Sequence, residues 1–571
     1  SSEWNRRSKG ISLLKYFLVI FLLTIGIFLN AENWTVLVYM AADNNLAQMG
    51  RLDINSMESV AQPANLNLIV QADFPEGAKR YRIQQDNSEQ ITSPILANLG
   101  NINSGDPNTL NNYIKWGFNR YPAQRKMLII WSHGDSWYKA NTGKWICPDD
   151  NAQDLISVSG GELVLALSDI PHLDILLFDA CSMQCIEVIN EIQSFADYII
   201  GSEDLVPQYG FPYEDIIPLF ESDFDQLLTQ IPELYVSSYL PGQGINPGGA
   251  LWTVTCSVVK TEIMPQFMQQ IKNFAVSQRF LASKYFTIRN SCYSMNTGLA
   301  DVDIRDFLER AQIVWDSGIQ NLLSLWNSMV ISSCFTNPEE TGNIGTAAIW
   351  FPDSRFNFEN GWRQYYKLDF SRSRWLSFVN SAIGNDTFPP EKPMLLSQNL
   401  IYNTLQISLQ AGPDPDSLYY EIIKDGGEHS QYFYTSPDNS VFTIMLQISQ
   451  AGTYQIRAID QSGNKSEPLT GNYTYSEPRA SIIINPNPVS GTSLAVLRWW
   501  ASEELSGKIQ LEIYNLRGQK VMNRYLGEVI SGEGNFLLSA EPKFRTLPSG
   551  VYILRLYMGN RKFTKKLTIL Y

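Results

Sequence analysis

The chain has 571 residues, 44% hydrophobic and 12% aromatic, which excludes wholesale disorder and is too long for a single core. A formal charge of -14 argues against a nucleic-acid partner, because phosphate binding needs a basic face. The charge is uneven: from Arg479 onward 13 Lys and Arg stand against 6 Asp and Glu, so the tail carries +7 and the remainder -21.

Taken in order, Arg6, Arg7, Lys9 and Lys15 precede the apolar run Tyr16–Leu29. A basic flank before a short apolar run reads as a secretory signal peptide over 1–31, cut after Ala31. A retained membrane anchor is the weaker alternative, since a span needs about 20 apolar residues. No transmembrane span is then expected in the mature protein.

Trp34–Met40 reads as a strand that turns through Ala41–Asn45 into a helix near Leu46 to Val60, and Asn65 to Asp73 as the next strand. A helix over 105–120 is headed by Ser104 and Asp106-Pro107. A strand at 127–132 ends on His133-Gly134, and a polar loop without periodicity follows from Asp135 to Ser157. A helix around Glu162–Leu167 leads to a strand at 174–180 ending on Cys181, with a helix expected to start at that cysteine. Tyr198–Glu203 is another strand, helices fill much of 215–330, and Gly345–Pro352 is a last buried strand. This alternation predicts an α/β fold, a mostly parallel sheet flanked by helices, over 32–384.

Gly384–Pro393 is a linker by composition. Short alternating strands over 394–476 fit a small β-sandwich resembling an immunoglobulin-like or fibronectin type III module. Residues 480–571 form a second all-β sandwich.

Six cysteines (147, 181, 185, 256, 292, 334) leave room for one or two bridges in a secreted protein. Three histidines (133, 172, 429) disfavour a His-rich metal site and leave His133 few rivals as a base. His133 and Cys181 both end strands expected to be neighbours on one sheet edge, where such sheets gather their chemistry. A thiol and an imidazole there form an acyl-transfer pair and point to a cysteine peptidase. No third, orienting residue is evident from spacing.

Asp179 lies two residues before Cys181 and shares its face of the strand. A like charge opposes thiolate formation, so Asp179 is better read as a pocket floor for a basic side chain, ideally arginine. A cap on the following turn is the structural alternative. Glu203 and Asp204 either add negative charge to that pocket or belong to a solvated loop. Cys185 is expected to face the core.

Tyr39–Asn45, Trp131-Ser-His133-Gly134 with Trp137, and Phe178-Asp-Ala-Cys181-Ser-Met183 with Glu187 together resemble the clostripain-like cysteine peptidases. That family shares a caspase-like fold with gingipains, legumain and separase. The resemblance implies Cys181 as nucleophile, His133 as acid/base, an oxyanion hole from the N–H groups of Gly134 and Cys181, and Asp179 in a pocket for Arg or Lys at P1, beside which Asp204 is the further candidate read from the next strand end. It also implies maturation within the loop after the histidine, for which Lys144 is the candidate. Some relatives use calcium, but no ligand spacing is recognisable, so no metal ligand is assigned. The family has more glycine where this chain has Asp135-Ser136.

In the tail, Asn485-Pro-Asn-Pro488, Ile513–Val521, Leu547–Tyr552 and Lys565-Lys566 resemble a type IX secretion C-terminal sorting domain. Together these imply a secreted or outer-membrane-surface protein of a Gram-negative bacterium, with basic-P1 protein or peptide substrates and the type IX machinery as partners. Two other readings stand beside it: a catalytically inactive surface binding or adhesion protein with the β modules as adhesion parts, and acyl transfer to a non-peptide such as transpeptidation, which uses the same residues.

Overall fold

The computed structural model describes residues 34–570 apart from 139–145, 243, 245, 247–249, 251, 296–300, 315, 337–343, 385, 402–403, 417, 426–429, 435–440, 449, 475–479, 491–492, 502–504, 506, 530–531 and 560. The signal over 1–31 and Lys144 lie outside the described residues. The chain divides into two bodies, one running to Phe388 and including Pro413–Asp416, the other holding Pro389–Gly412 and Ser417–Tyr571.

The first body opens with β1 (Trp34–Ala41), α1 (Ala47–Glu58), β2 (Leu66–Phe74), β3 (Gly77–Arg82) and β4 (Ile95–Gly100). Then come α2 (Pro107–Arg120), β5 (Arg125–Trp131), β6 (Ile146–Asp149), β7 (Asp154–Ile156), α3 (Glu162–Leu167) and β8 (Leu173–Asp179). Next are α4 (Ile186–Ile192), β9 (Ala196–Gly201), α5 (Phe224–Ser238) and β10 (Thr255–Lys260). The last strands are β11 (Val302–Asp303), β12 (Val330–Phe335) and β13 (Ala348–Ile349).

Nine strands make one sheet in the order β12-β10-β9-β8-β5-β1-β2-β3-β4. The five central strands, β9 to β2, run parallel, and an antiparallel pair closes each edge. Every residue of β1 is buried, as a strand covered on both faces requires. Alternate residues feed two cores. Leu37, Tyr39, Leu128, Ile130, Leu176 and Phe178 face one, with α2, α3 and α4 packed on it. Val36, Val38, Met127, Ile129, Ile175 and Leu177 face the other, with α1 and α5. Each such aliphatic side chain, buried, contributes about 1.5–3 kcal/mol of transfer free energy. Helix α2 approaches closely because Gly117 carries no side chain; a Cβ there would meet Leu37 Cδ1 at 2.5 Å. Asp106 caps this helix, accepting from Asn108 N.

Three sequence expectations shift. The helix expected at Cys181 starts instead at Ile186, with Cys185 at its N-cap. The polar stretch after His133 contains the β6–β7 hairpin, whose two-residue pairing is too short to give a periodic signal. The run ending at Pro352 holds only β13, which pairs with β11 outside the main sheet.

Pro413–Asp416 belongs to the first body. Asp416 is buried and accepts from Arg279 Nη2 at 2.8 Å, Ser377 Oγ at 2.6 Å and Asn380 Nδ2 at 3.0 Å.

The second body has two separate all-β cores. One is built on Leu405, Ile407, Ile444, Tyr420, Ile422 and Ile456, under a three-stranded and a four-stranded sheet. The other is built on Leu497, Leu511, Ile513, Leu554, Leu556 and Leu567, under a three-stranded and a five-stranded sheet. No helix among the described residues is long and apolar enough to cross a membrane.

Candidate active site

Strand β5 ends on Trp131, whose register partner on β8 is Asp179. The next residues of both strands therefore leave the sheet side by side. Ser132 N donates to the Asp179 carbonyl at 3.1 Å, and Ser132 Oγ to the Ala41 carbonyl at 2.7 Å. Gly134 lies directly against the chain leaving β8 at Ala180-Cys181. A Cβ at 134 would overlap the Cys181 carbonyl oxygen and meet Ala180 Cβ and Met183 Cγ at 3.0 Å each. His133-Gly134 and Ala180-Cys181 are thus in backbone contact at the carboxyl ends of adjacent parallel strands.

The orienting residue that spacing does not reveal is Asn45. It stands in the loop after β1, and its Oδ1 lies 2.7 Å from His133 Nε2. With Oδ1 accepting, the hydrogen sits on Nε2 and Nδ1 keeps the lone pair of a base. Asn44 Nδ2 ties the same loop to the Ala41 and Pro148 carbonyls at 3.0 and 2.8 Å.

The sulfur of Cys181 accepts from Val206 N at 3.3 Å and points its own hydrogen at the Val206 carbonyl, 3.7 Å away. The expected helix N-terminal field is missing here, because α4 starts beyond Cys185. Burial instead pushes the thiol up to about 11, with the Val206 N–H opposing, and Asp179, Asp135 and Asp204 push the same way as burial. Burial therefore favours the thiol over the thiolate at neutral pH. The turn after it is tight: Ser182 takes φ 60 and donates its N–H to the Asp204 carbonyl at 3.0 Å.

Ser136 also has positive φ (58), and its Oγ is 3.0 Å from Cys185 Sγ. The left-handed turn survives without glycine because this hydroxyl is held in the core. Cys185 itself is buried. Glu187 is buried too, accepting from Trp350 N and Tyr365 Oη, both at 2.9 Å, and burial raises its carboxyl to about 8. It braces α4 against the 350 segment.

Asp179 is 3% exposed, and its Oδ2 accepts from Tyr213 Oη at 2.8 Å and Phe211 N at 3.3 Å. Burial raises its carboxyl above the ordinary range and these two bonds pull it back. Gly210 takes φ +55, and a Cβ there would come within 2.8 Å of Oδ2, so the loop can wrap the carboxylate only with glycine. Aromatic rings enclose the site. Phe211 stacks on Tyr235 at 4.1 Å, Tyr235 meets Tyr239 edge-on at 5.5 Å, and Tyr239 Oη donates to the Gly210 carbonyl at 2.7 Å. The buried Tyr235 hydroxyl has no partner. Asp53, held by Trp131 Nε1 at 2.6 Å, is raised by burial and by the nearby Asp179 charge.

Glu203 and Asp204 are both buried, which corrects the solvated-loop alternative. Glu203 accepts from Gly345 N at 2.6 Å and lies close to Asp303, so it belongs to the core. Asp204 stays beside the nucleophile turn, with its Oδ1 accepting from Leu205 N at 2.8 Å.

The fold also assembles a carboxylate cluster that spacing does not show. Asp43 follows β1, Asp73 is on β2 and Asp149 ends β6; all are buried, with one oxygen of each within 4.8 Å of the others. Asp149 is held by Ser104 N at 2.9 Å and Ala152 N at 2.7 Å, and Asp43 by Asn151 Nδ2 at 2.7 Å. Asp73 Oδ2 is buried with no partner. Hard carboxylate oxygens converging around an unpartnered one fit a divalent cation such as calcium.

The profile of the clostripain family matches residues 38–381, and that of a secretion system C-terminal sorting domain matches 483–570. Clostripain of Hathewaya histolytica is 27% identical over 215 residues, covering 32% of this chain. The chain spans 41% of the length of that curated relative. Among solved structures, a secreted C11 cysteine protease from Bacteroides thetaiotaomicron with an irreversible peptide inhibitor is 25% identical, covering 61% of this chain and 99% of its own at a TM-score of 0.49. An inactive zymogen C11 protease from Parabacteroides distasonis is 22% identical, covering 60% and 97%, at 0.47.

Proposed function

The chain belongs to the clostripain family, and on that premise we propose that it is an exported cysteine endopeptidase that cleaves after arginine through Cys181 and His133. The observation that carries this reading is the backbone contact between His133-Gly134 and Cys181 beside a buried carboxylate, Asp179, set among aromatic rings. The sorting tail supports export.

In the first step Cys181 Sγ bonds to the P1 carbonyl carbon while its proton passes to His133 Nδ1. The N–H groups of Gly134 and Cys181 face the developing oxyanion; one such donor is worth about 10²–10³ in rate. The C–N bond then breaks, His133 returns the proton to the leaving amine, and a thioester remains. Water, deprotonated by His133, attacks that thioester, releasing the new carboxylate and the thiol. Asn45, accepting from Nε2, would leave Nδ1 as the ring's proton acceptor.

Arginine is favoured at P1 because a buried carboxylate with two neutral donors is best completed by a bidentate cation. The rings of Tyr235 and Tyr239 would cover the guanidinium and stem. Asp204 would add charge near the pocket mouth, and lysine would bind less well for want of the second bond. Calcium, if used, would be held by Asp43, Asp73 and Asp149, where it would neutralise the cluster and stiffen the loop carrying Asn45.

Fluorogenic peptides with Arg, Lys or Leu at P1 test the reading on the loop-cleaved protein. Cys181→Ala should abolish turnover, and Asp179→Asn should cut the Arg/Leu ratio of kcat/KM at least 30-fold, equivalent to about 2 kcal/mol or more for an unpaired buried charge. Turnover surviving Cys181→Ala sinks the mechanism. An unchanged ratio removes Asp179 from the pocket.

A further inference from the structure

Cys256 on β10 and Cys334 on β12 are direct partners in the antiparallel register at the sheet edge. Directly opposed residues of an antiparallel pair have Cα atoms about 4.5–5.5 Å apart and side chains on one face, inside the range a disulfide needs. Cys256 is buried in the core beneath α5, and Cys334 is partly buried against the same cluster. Both stand as thiols in the structure. A chain with a secretion sorting domain leaves the reducing cytosol, and two facing thiols do not stay reduced outside it.

We propose that Cys256 and Cys334 form a cross-strand disulfide in the exported protein. Cys334, the more exposed of the two, attacks a disulfide-bearing oxidant of the cell envelope and expels one thiolate. Cys256 then attacks the Cys334 sulfur of the mixed disulfide and expels the second. Two cysteine thiols are oxidised, one external disulfide is reduced to two thiols, and the two protons go to the departing sulfurs.

The bond has a place in the site's architecture. Strand β10 starts behind the loop at Cys181: Thr255 Oγ1 is 3.1 Å from Ser202 Oγ, and Trp252 Nε1 donates to the Leu205 carbonyl at 3.2 Å. Tying β12 to β10 fixes the edge strand and the wall behind Val206. It also removes a partly exposed thiol that could exchange with the nucleophile.

The test is a non-reducing peptide map of full-length protein taken from culture medium and quenched with iodoacetamide. The expected result is one linked species, lighter by two hydrogens than the sum of the peptides bearing Cys256 and Cys334, that splits into two alkylatable peptides on reduction. A reduced Cys181→Ala protein incubated with oxidised glutathione should form the same link, and adding Cys334→Ser should abolish it without unfolding the chain. Full alkylation of both cysteines in the secreted protein, or a link from either to another cysteine, overturns the proposal.

Discussion

Replacing Gly134 by alanine probes the contact on which the site depends. The added Cβ would overlap the Cys181 carbonyl oxygen and press on Ala180 Cβ and Met183 Cγ at 3.0 Å, and the first of these is backbone that cannot rotate away. Restoring ordinary contact distances requires the His133-Gly134 segment to move by roughly 1 Å. A displacement of that size between reacting groups costs about 10²-fold, near 2.7 kcal/mol of barrier, and it also swings the Gly134 N–H away from the oxyanion. The expected outcome is a kcat about a hundredfold lower with KM for an Arg-P1 peptide nearly unchanged, because Asp179 is held by Tyr213 and Phe211 and is not among the atoms that the added Cβ would meet. Thermal unfolding run beside the kinetics checks that the chain stays folded. A folded Gly134→Ala protein with kcat within twofold of wild type refutes both the close-contact geometry and the oxyanion role.

Two further outcomes are expected. The reactive form of Cys181 is its thiolate and burial pushes the thiol up to about 11, so inactivation of the free enzyme by iodoacetamide should climb about tenfold per pH unit from pH 7 to 9. A plateau below pH 9 contradicts the buried-thiol description. Millimolar calcium should raise the melting temperature of wild type and leave Asp73→Asn unmoved; about 2.7 kcal/mol of stabilisation is available at a hundredfold excess over Kd. Equal shifts in the two proteins would remove Asp73 from the proposed cation site.

The placement of His133 and Cys181 at neighbouring strand ends was legible because a buried parallel strand is an unbroken apolar run, and the residue on which it stops is visible in sequence. The donors that hold Asp179, Tyr213 and Phe211, were not legible, since they come from a loop some thirty residues farther on. Nor was Asn45, since its role depends on where the loop after β1 comes to rest against β5, a long-range consequence of sheet order. The same holds for Asp43, Asp73 and Asp149, which lie on separate elements and meet only when β1, β2 and β6 pack. The helix expected at Cys181 failed because the apolar spacing from Met183 to Ile192 does suit a helix. The chain spends its first residues on a turn with Ser182 in the left-handed region, and spacing carries no mark of that. The charge of Glu203 suggested exposure, but a backbone N–H from Gly345 and proximity to Asp303 take it into the core.

Asp416 changes what counts as the end of the first body. By composition the catalytic portion stops at the linker of 384–393, yet the carboxylate that Arg279, Ser377 and Asn380 require lies some thirty residues farther along. Truncation at the linker would strip three donors of their shared acceptor, and each such unmet group costs about 1–3 kcal/mol. A cut after the first β module leaves that acceptor in place. The short segment carrying Asp416 therefore has to stay in any fragment meant to keep the first body's buried network.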